Sequence, residues 1–390
     1  MRDPRARKLT PFGVSVFTEF TALARAHDAI NLSQGYPDFD GPDLIKQVAA
    51  DNIWRGHNQY APSHGMPALR QAIADKAKRF YDLEVDPEEE VTVFCGATEA
   101  IAASLLGVID PGDEVILFEP CYDSYPPAVA MAGGVARRVS LRFPDYAIDE
   151  AALRAAFTPR TKAVVVNTPM NPCGKVFTRA ELQLIADLCC ERDVFALTDE
   201  VYEHLTYDGV EHVPLITLPE MRQRTVCISS TAKTFSLTGW KVGYTVAGPA
   251  LSSAVRQSHQ FLTFCTPPPL QEAMAAAMAM SDDYYRELLG SYAAKRALLL
   301  ERLGGMGFEV RSPPGTYYIA AGLSPLGVDD DYDFCRALPA RCGVAMIPVS
   351  AFYLDRRAGR QVVRIAFCKN EETLVEACAR LELALQGGDR

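Results

Sequence analysis

The chain has 390 residues, 48% apolar and 23% charged, which is enough for a substantial core shared between two lobes. Its net charge of -10, with no local basic patch, argues against a nucleic-acid or anionic-membrane partner. Eleven cysteines form no CxxC pair and no Cys/His metal spacing, so free thiols and a cytoplasmic location are expected. In chain order, the basic start is broken by polar residues before any signal-like apolar stretch forms. Strand-like runs follow at 91–94, 114–118, 163–167, 194–197, 225–229 and 242–248. Helical patterns separate most of them. The segment 178–193 opens with a Thr178-Arg-Ala-Glu181 capping box and carries Cys189 and Cys190 as helix-packing residues. The run "AMAAAMAM" (273–280) is too short to cross a bilayer and reads as a core helix. After about residue 285 the pattern changes to a long helix and short strands. This predicts an α/β chain with a mostly parallel sheet covered by helices on both faces, residues 43–285, and a smaller α+β domain, 1–42 with 286–390. Trp54 and Trp240 are expected to pack, and His204 and His259 to be structural.

In open α/β sheets ligands bind beyond the carboxyl ends of the strands. The residues there are "CGATEA" (95–100), "EPCYDSY" (119–125), "NTPMNPCG" (167–174), "TDEVY" (198–202) and "SSTAK" (229–233). Each alone is ordinary: a strand-to-helix turn, or an aspartate capping a helix. Together they offer mutually useful chemistry. Lys233 follows an apolar run, and a buried ammonium must be paired, neutralised or used covalently. Burial and nearby cations release the free amine, which forms a Schiff base with an aldehyde. Pyridoxal phosphate needs such a lysine, an acid for its ring nitrogen, a phosphate cradle and a stacking partner. Asp199 suits the ring nitrogen, Tyr202 and Asn171 the ring oxygen, and Tyr122 the ring face, with Tyr125 or Cys121 as alternatives there. Backbone amides at Gly96, Ala97 and Thr98, at a helix start, suit the phosphate, with Ser230 and Lys241 beside them. Arg364 sits between Val362-Val363 and Ile365-Ala366, which makes it a buried cation in need of an anion.

"NTPMNPCGKV", "TDEVYEHL" and "SSTAKTFSLTGWKVGY" together resemble the fold-type I PLP-dependent aminotransferases of classes I and II. The resemblance runs from "INLSQGYPDF" (30–39) through "NQYAPSHGMPALRQAIA" (58–74) to "VVRIAFCKNEETL" (362–374), and is closest to the kynurenine/glutamine/methionine aminotransferase branch. It implies the PLP-dependent transferase fold type I, with Lys233 as the Schiff-base lysine acting with Asp199 and Tyr202. It implies that Tyr60 reaches the phosphate of a neighbouring subunit in a homodimer with shared active sites. It implies that Arg364 grips the substrate α-carboxylate in a pocket formed with Gly35, Tyr36 and Asn171. Lys241 departs from the arginine of the aspartate branch, and "TAK" lacks a second serine, leaving Ser230 as the main hydroxyl.

The expected activity is ping-pong transfer of an amino group from an amino acid to a 2-oxo acid. The loop 260–273 holds no Arg or Lys, and Phe261, Phe264 and Cys265 with Tyr36 and Tyr353 suggest a neutral, apolar or aromatic side-chain pocket. That favours methionine, aromatic amino acids, kynurenine or glutamine over aspartate. One rival keeps the cofactor and performs C–S β-elimination. A second, a ligand sensor on the same fold, is expected to carry a DNA-binding segment, for which no room is seen before residue 30. A third, a nucleotide-dependent oxidoreductase, lacks its GxGxxG after a strand.

Overall fold

Strands covered on both faces are buried along nearly their whole length and mostly apolar between their ends, and five segments fit that pattern: Val91–Phe94, Glu114–Glu119, Thr161–Asn167, Phe195–Asp199 and Gly243–Ala247. In the computed structural model, which describes residues 4–386, they join Thr225–Ser230 and Val135–Ser140 in a seven-stranded sheet. Its order is Val91–Phe94, Gly243–Ala247, Thr225–Ser230, Phe195–Asp199, Thr161–Asn167, Glu114–Glu119, Val135–Ser140. Gly243–Ala247 runs antiparallel to both neighbours and every other pairing is parallel. The strand period of two sorts the core. Ile116, Phe118, Val164, Val166 and Ala196 face one side, against Leu182 and Ile185 of the helix Arg179–Arg192. Val115, Leu117, Ala163, Val165 and Leu197 face the other, against Ile101, Leu251 and Val255 of the helices Ala97–Val108 and Pro249–Leu262.

The register sets Asn167, Asp199 and Ile228 side by side on three parallel strands. Asn167, Asp199 and Ser230 therefore leave the sheet at one carboxyl edge, where an α/β fold binds its ligands.

The capping box is present: Thr178 and Glu181 each bond the other's backbone amide. Cys189 is buried in that helix and Cys190 partly so. The sequence pattern does not announce Val135–Ser140, because this edge strand exposes one side and carries Arg137 and Arg138. Trp54 corrects the packing expectation: it ends the helix Asp43–Trp54 and is 89% exposed, whereas Trp240 packs against a buried cluster. His204 lies between the rings of Phe80 and Tyr285, each 4.7 Å away, and His259 bonds Glu99 and the Ser63 carbonyl.

The other lobe holds an antiparallel sheet ordered Ile347–Pro348, Val362–Ala366, Tyr318–Gly322, Glu309–Val310. Ile30–Asn31 pairs with Val344–Ala345, which ties the N-terminal segment to this C-terminal lobe. The 24-residue helix Asp282–Gly305 leads from one lobe to the other. We propose that the division falls in its first turn, after residue 285. Among the described residues no helix is long and apolar enough to cross a membrane.

Candidate active site

The carboxyl edge of the large sheet and the N-terminal segment of the small lobe enclose one cavity. It is lined by Gly35, Gly96, Ala97, Thr98, Tyr122, Asn171, Asp199, Tyr202, Ser230, Lys233 and Lys241. Eleven of the fourteen residues singled out from the sequence therefore converge here. Arg364 stands directly behind Asn171, while Tyr36 and Tyr60 lie outside.

Asp199 ends its strand buried, and its Oδ2 accepts a 2.6 Å hydrogen bond from Tyr125 Oη. Burial pushes its carboxyl up to about 6, against the hydrogen bonds from Tyr125 and the Val201 amide and the charge of Lys233. Lys233 lies three residues past its strand, in the short helix Thr231–Thr234, whose first turn is capped by Ser230 Oγ accepting from the Ala232 amide. Its Nζ donates to the Gly35 carbonyl at 3.4 Å. Burial brings its pKa down to about 8; Cys368 and Asp199 oppose the shift and the positive charge of Lys241 adds to it. Near neutral pH a usable fraction of the amine is thus free.

Gly96 precedes the helix Ala97–Val108 with φ +84°, and offers no capping side chain to the first amides. A Cβ at Gly96 would stand 3.2 Å from Lys241 Nζ, so the glycine lets the lysine approach these amides. An uncapped helix N-terminus beside an ammonium suits a phosphate. Tyr122 packs among Phe17 and Tyr125, with ring centroids at 6.0 and 5.7 Å. Burial raises its hydroxyl to about 12. Of the two alternatives for the ring face, Tyr125 turns its hydroxyl to Asp199, and Cys121 is buried beside the Arg138 guanidinium.

Arg364 is fully buried. Its Nη1 donates to Asn171 Oδ1 at 2.7 Å and its Nη2 to the Ser33 carbonyl, while Nε has no partner. A buried guanidinium with no carboxylate bonded to it is a ready receptor for one. Tyr36 is 43% exposed, and its backbone carbonyl is held by Lys369. Tyr60 is 85% exposed with its ring edge-on to Phe264. Tyr353, expected at the side-chain pocket, instead sits in the core with its hydroxyl on the Leu141 carbonyl. Phe261 points outward, 86% exposed.

Lining residues that were not assigned from the sequence include Phe17, Gln34, Asn167, Tyr125 as the partner of Asp199, and Tyr318. Asn167, which closes a predicted strand, and Tyr125, which ends the strand-end motif 119–125, had a signal that could have found them. The others reach the cavity from separate elements.

The donor set fits pyridoxal phosphate: an amine whose pKa burial has lowered, a buried carboxylate, uncapped helix amides and an aromatic wall. A family model described as aminotransferase class I and II matches residues 27–381. A probable N-succinyldiaminopimelate aminotransferase of Mycobacterium tuberculosis is 45% identical, covering 96% of this chain and 97% of its own. The methionine aminotransferase of Escherichia coli is 40% identical, over 96% and 97%. The solved structure of the N-succinyldiaminopimelate aminotransferase from Mycobacterium tuberculosis superimposes with a TM-score of 0.95 at 44% identity, covering 97% of this chain and all of that one. The chain belongs to the class I and II aminotransferases. It is a pyridoxal-phosphate-dependent transaminase acting on amino acids and 2-oxo acids.

Proposed function

We propose that the amino donor is a neutral, apolar or aromatic L-amino acid of the methionine, aromatic, kynurenine or glutamine class, used in a ping-pong cycle. When bound, pyridoxal phosphate supplies the aldehyde carbon that takes up the amino group and the ring that draws electrons from the substrate Cα. Gly96, Ala97, Thr98, Ser230 and Lys241 would hold its phosphate, Tyr122 its ring face, Asn171 and Tyr202 its ring oxygen, and Asp199 its ring nitrogen. Lys233 Nζ would hold the cofactor covalently, and its free amine would be the base that accepts the substrate's α-proton. Arg364 holds the α-carboxylate, with Gly35 and Asn171 beside it, and so fixes the Cα–H bond for proton removal.

One observation carries the side-chain preference. Among the described residues lining the cavity, Lys233 and Lys241 are the cations, and both have work to do on the cofactor. A distal carboxylate would enter without a partner from this chain, at a cost that a neutral side chain avoids. The relatives named for methionine and kynurenine support the same preference. The 45% identical relative is named for a substrate with distal carboxylates, which sets the critical comparison. A screen of amino donors against 2-oxo acids should rank methionine, aromatic amino acids, kynurenine or glutamine above aspartate and N-succinyldiaminopimelate. The reverse ranking overturns the preference, and pyruvate release from cystathionine without an acceptor would mark β-elimination. In the same screen Lys233→Ala should lose both turnover and the visible absorbance of the cofactor.

We also propose a homodimer in which Tyr60, exposed here, reaches the phosphate of the neighbouring subunit. The free state of all eleven cysteines supports a cytoplasmic setting.

A further inference from the structure

Tyr318 enters the cavity from the small lobe, as the first residue of the strand Tyr318–Gly322, which pairs with the strand bearing Arg364. Its hydroxyl lies 3.2 Å from that of Tyr202. Its ring lies beneath the Arg364 guanidinium, whose Cζ is 4.1 Å from the ring centroid. Both tyrosines are 3% exposed. Room for the hydroxyl comes from Gly35, where a Cβ would stand 1.7 Å from Tyr318 Oη. An aromatic wall needs only a ring, and a buried hydroxyl is costly without a partner. This one has a partner, in the side chain assigned above to the cofactor's ring oxygen.

We propose that Tyr318 is a positioning residue that joins the two halves of the site. Its hydroxyl donates to Tyr202 Oη and strengthens the hydrogen bond that Tyr202 gives the ring oxygen, because bonds in a buried chain polarise one another. Its ring holds Arg364 where the substrate carboxylate arrives. The proposal rests on the reading of Tyr202 and Arg364 given above. The titratable groups facing the pair are Tyr317, Tyr122, Cys368 and Arg364, with Lys233 beyond the Tyr317 ring. Burial raises the Tyr317 and Cys368 protons as it does that of Tyr122, so the cation packed directly on the pair is Arg364, with Lys233 farther off.

The test uses the holoenzyme and reads the pH midpoint of the bound cofactor's visible absorbance, together with KM and kcat for the amino donor. Tyr318→Phe keeps the ring and removes the hydroxyl. It should raise the midpoint by about half to one pH unit, since the ring oxygen's negative charge loses support, and leave KM within about twofold. Tyr202→Phe should raise the midpoint further, and adding Tyr318→Phe to it should change nothing more. Tyr318→Leu, which also removes the ring, should raise KM about threefold or more. A midpoint unmoved by Tyr318→Phe while Tyr202→Phe moves it overturns the coupling alone, as do additive shifts in the double variant. An unchanged KM in Tyr318→Leu overturns the support of Arg364. If Tyr202→Phe is itself silent, the placement of Tyr202 is wrong and the proposal falls with it.

Discussion

An amine in an apolar setting resists its proton, and at Lys233 that resistance costs the fold something. The unfolded chain binds the proton with the ordinary lysine pKa of 10.5, the folded chain with one near 8. Folding therefore carries the full penalty below about pH 8, and is relieved of it as the pH rises toward 10.5. Cofactor-free Lys233→Met should be more stable than the cofactor-free parent at pH 7 by on the order of 2 kcal/mol, after a discount for partial exposure. The advantage should shrink above about pH 8 and vanish only above about pH 10.5 in urea titrations run across that range. Arg364 poses the opposite case, a cation that keeps its charge and lacks an anion. Lysine in its place would retain the charge and lose the planar fork. Arg364→Lys should lower kcat/KM for amino acids about 10- to 100-fold, the worth of one charged hydrogen bond. The same variant should leave the half-reaction of a decarboxylated amine, followed by the loss of cofactor absorbance, nearly as in the parent.

At the scale of elements, the turn at residues 201–204 does two things at once. It presents Tyr202 to the cavity and drives Glu203 into the core behind it. There Glu203 accepts from Lys76 of the helix Pro67–Tyr81, from Tyr81 at 2.5 Å and from Ser229 at 2.6 Å. Burial alone would raise its carboxyl, but the Lys76 ammonium overrides it and holds the group well below the usual carboxylate range. Glu200, Glu203 and His212 stand near enough to share a metal ion, yet the Lys76 ammonium already meets the negative charge of Glu203. Removing that ammonium leaves a buried carboxylate unpaired. Lys76→Met should cost about 3–5 kcal/mol in urea denaturation, and adding Glu203→Gln should recover part of the loss. The same scale shows what was legible in the sequence. Asp199, Asn171, Ser230 and Lys233 were readable because parallel strands deliver their ends to one edge, so a list of strand ends is a list of neighbours. Tyr318 and Phe17 come from the other lobe, and Tyr125 from a helix that must first dock before its hydroxyl finds Asp199. Tyr353 looked like a pocket residue by composition, yet the Leu141 carbonyl claims its hydroxyl. Periodicity carries no information about which lobe closes on which.

For the whole molecule, the question is where a tyrosine that is 85% exposed does its work. Tyr60 has no role in the cavity of its own subunit, and Phe261 and Trp54 stand out to similar degrees, 86% and 89%. A contiguous exposed apolar patch marks a surface that another chain covers, and Tyr60 packs edge-on against the exposed Phe264. If Tyr60 completes the neighbour's phosphate site, the defects of Tyr60→Phe and Lys233→Ala belong to different sites of one dimer. The Tyr60→Phe homodimer should then hold its cofactor about 10- to 100-fold more weakly, the loss expected for one charged hydrogen bond. The Lys233→Ala homodimer should be inactive. In a mixed dimer, one site would receive both lesions and the other neither. Co-expression of the two variants under different affinity tags, with purification through both, should therefore return activity at low cofactor concentration equal to one intact site per dimer. If Tyr60 instead serves its own subunit, the lesions stay apart, each site keeps one, and the mixed dimer recovers nothing.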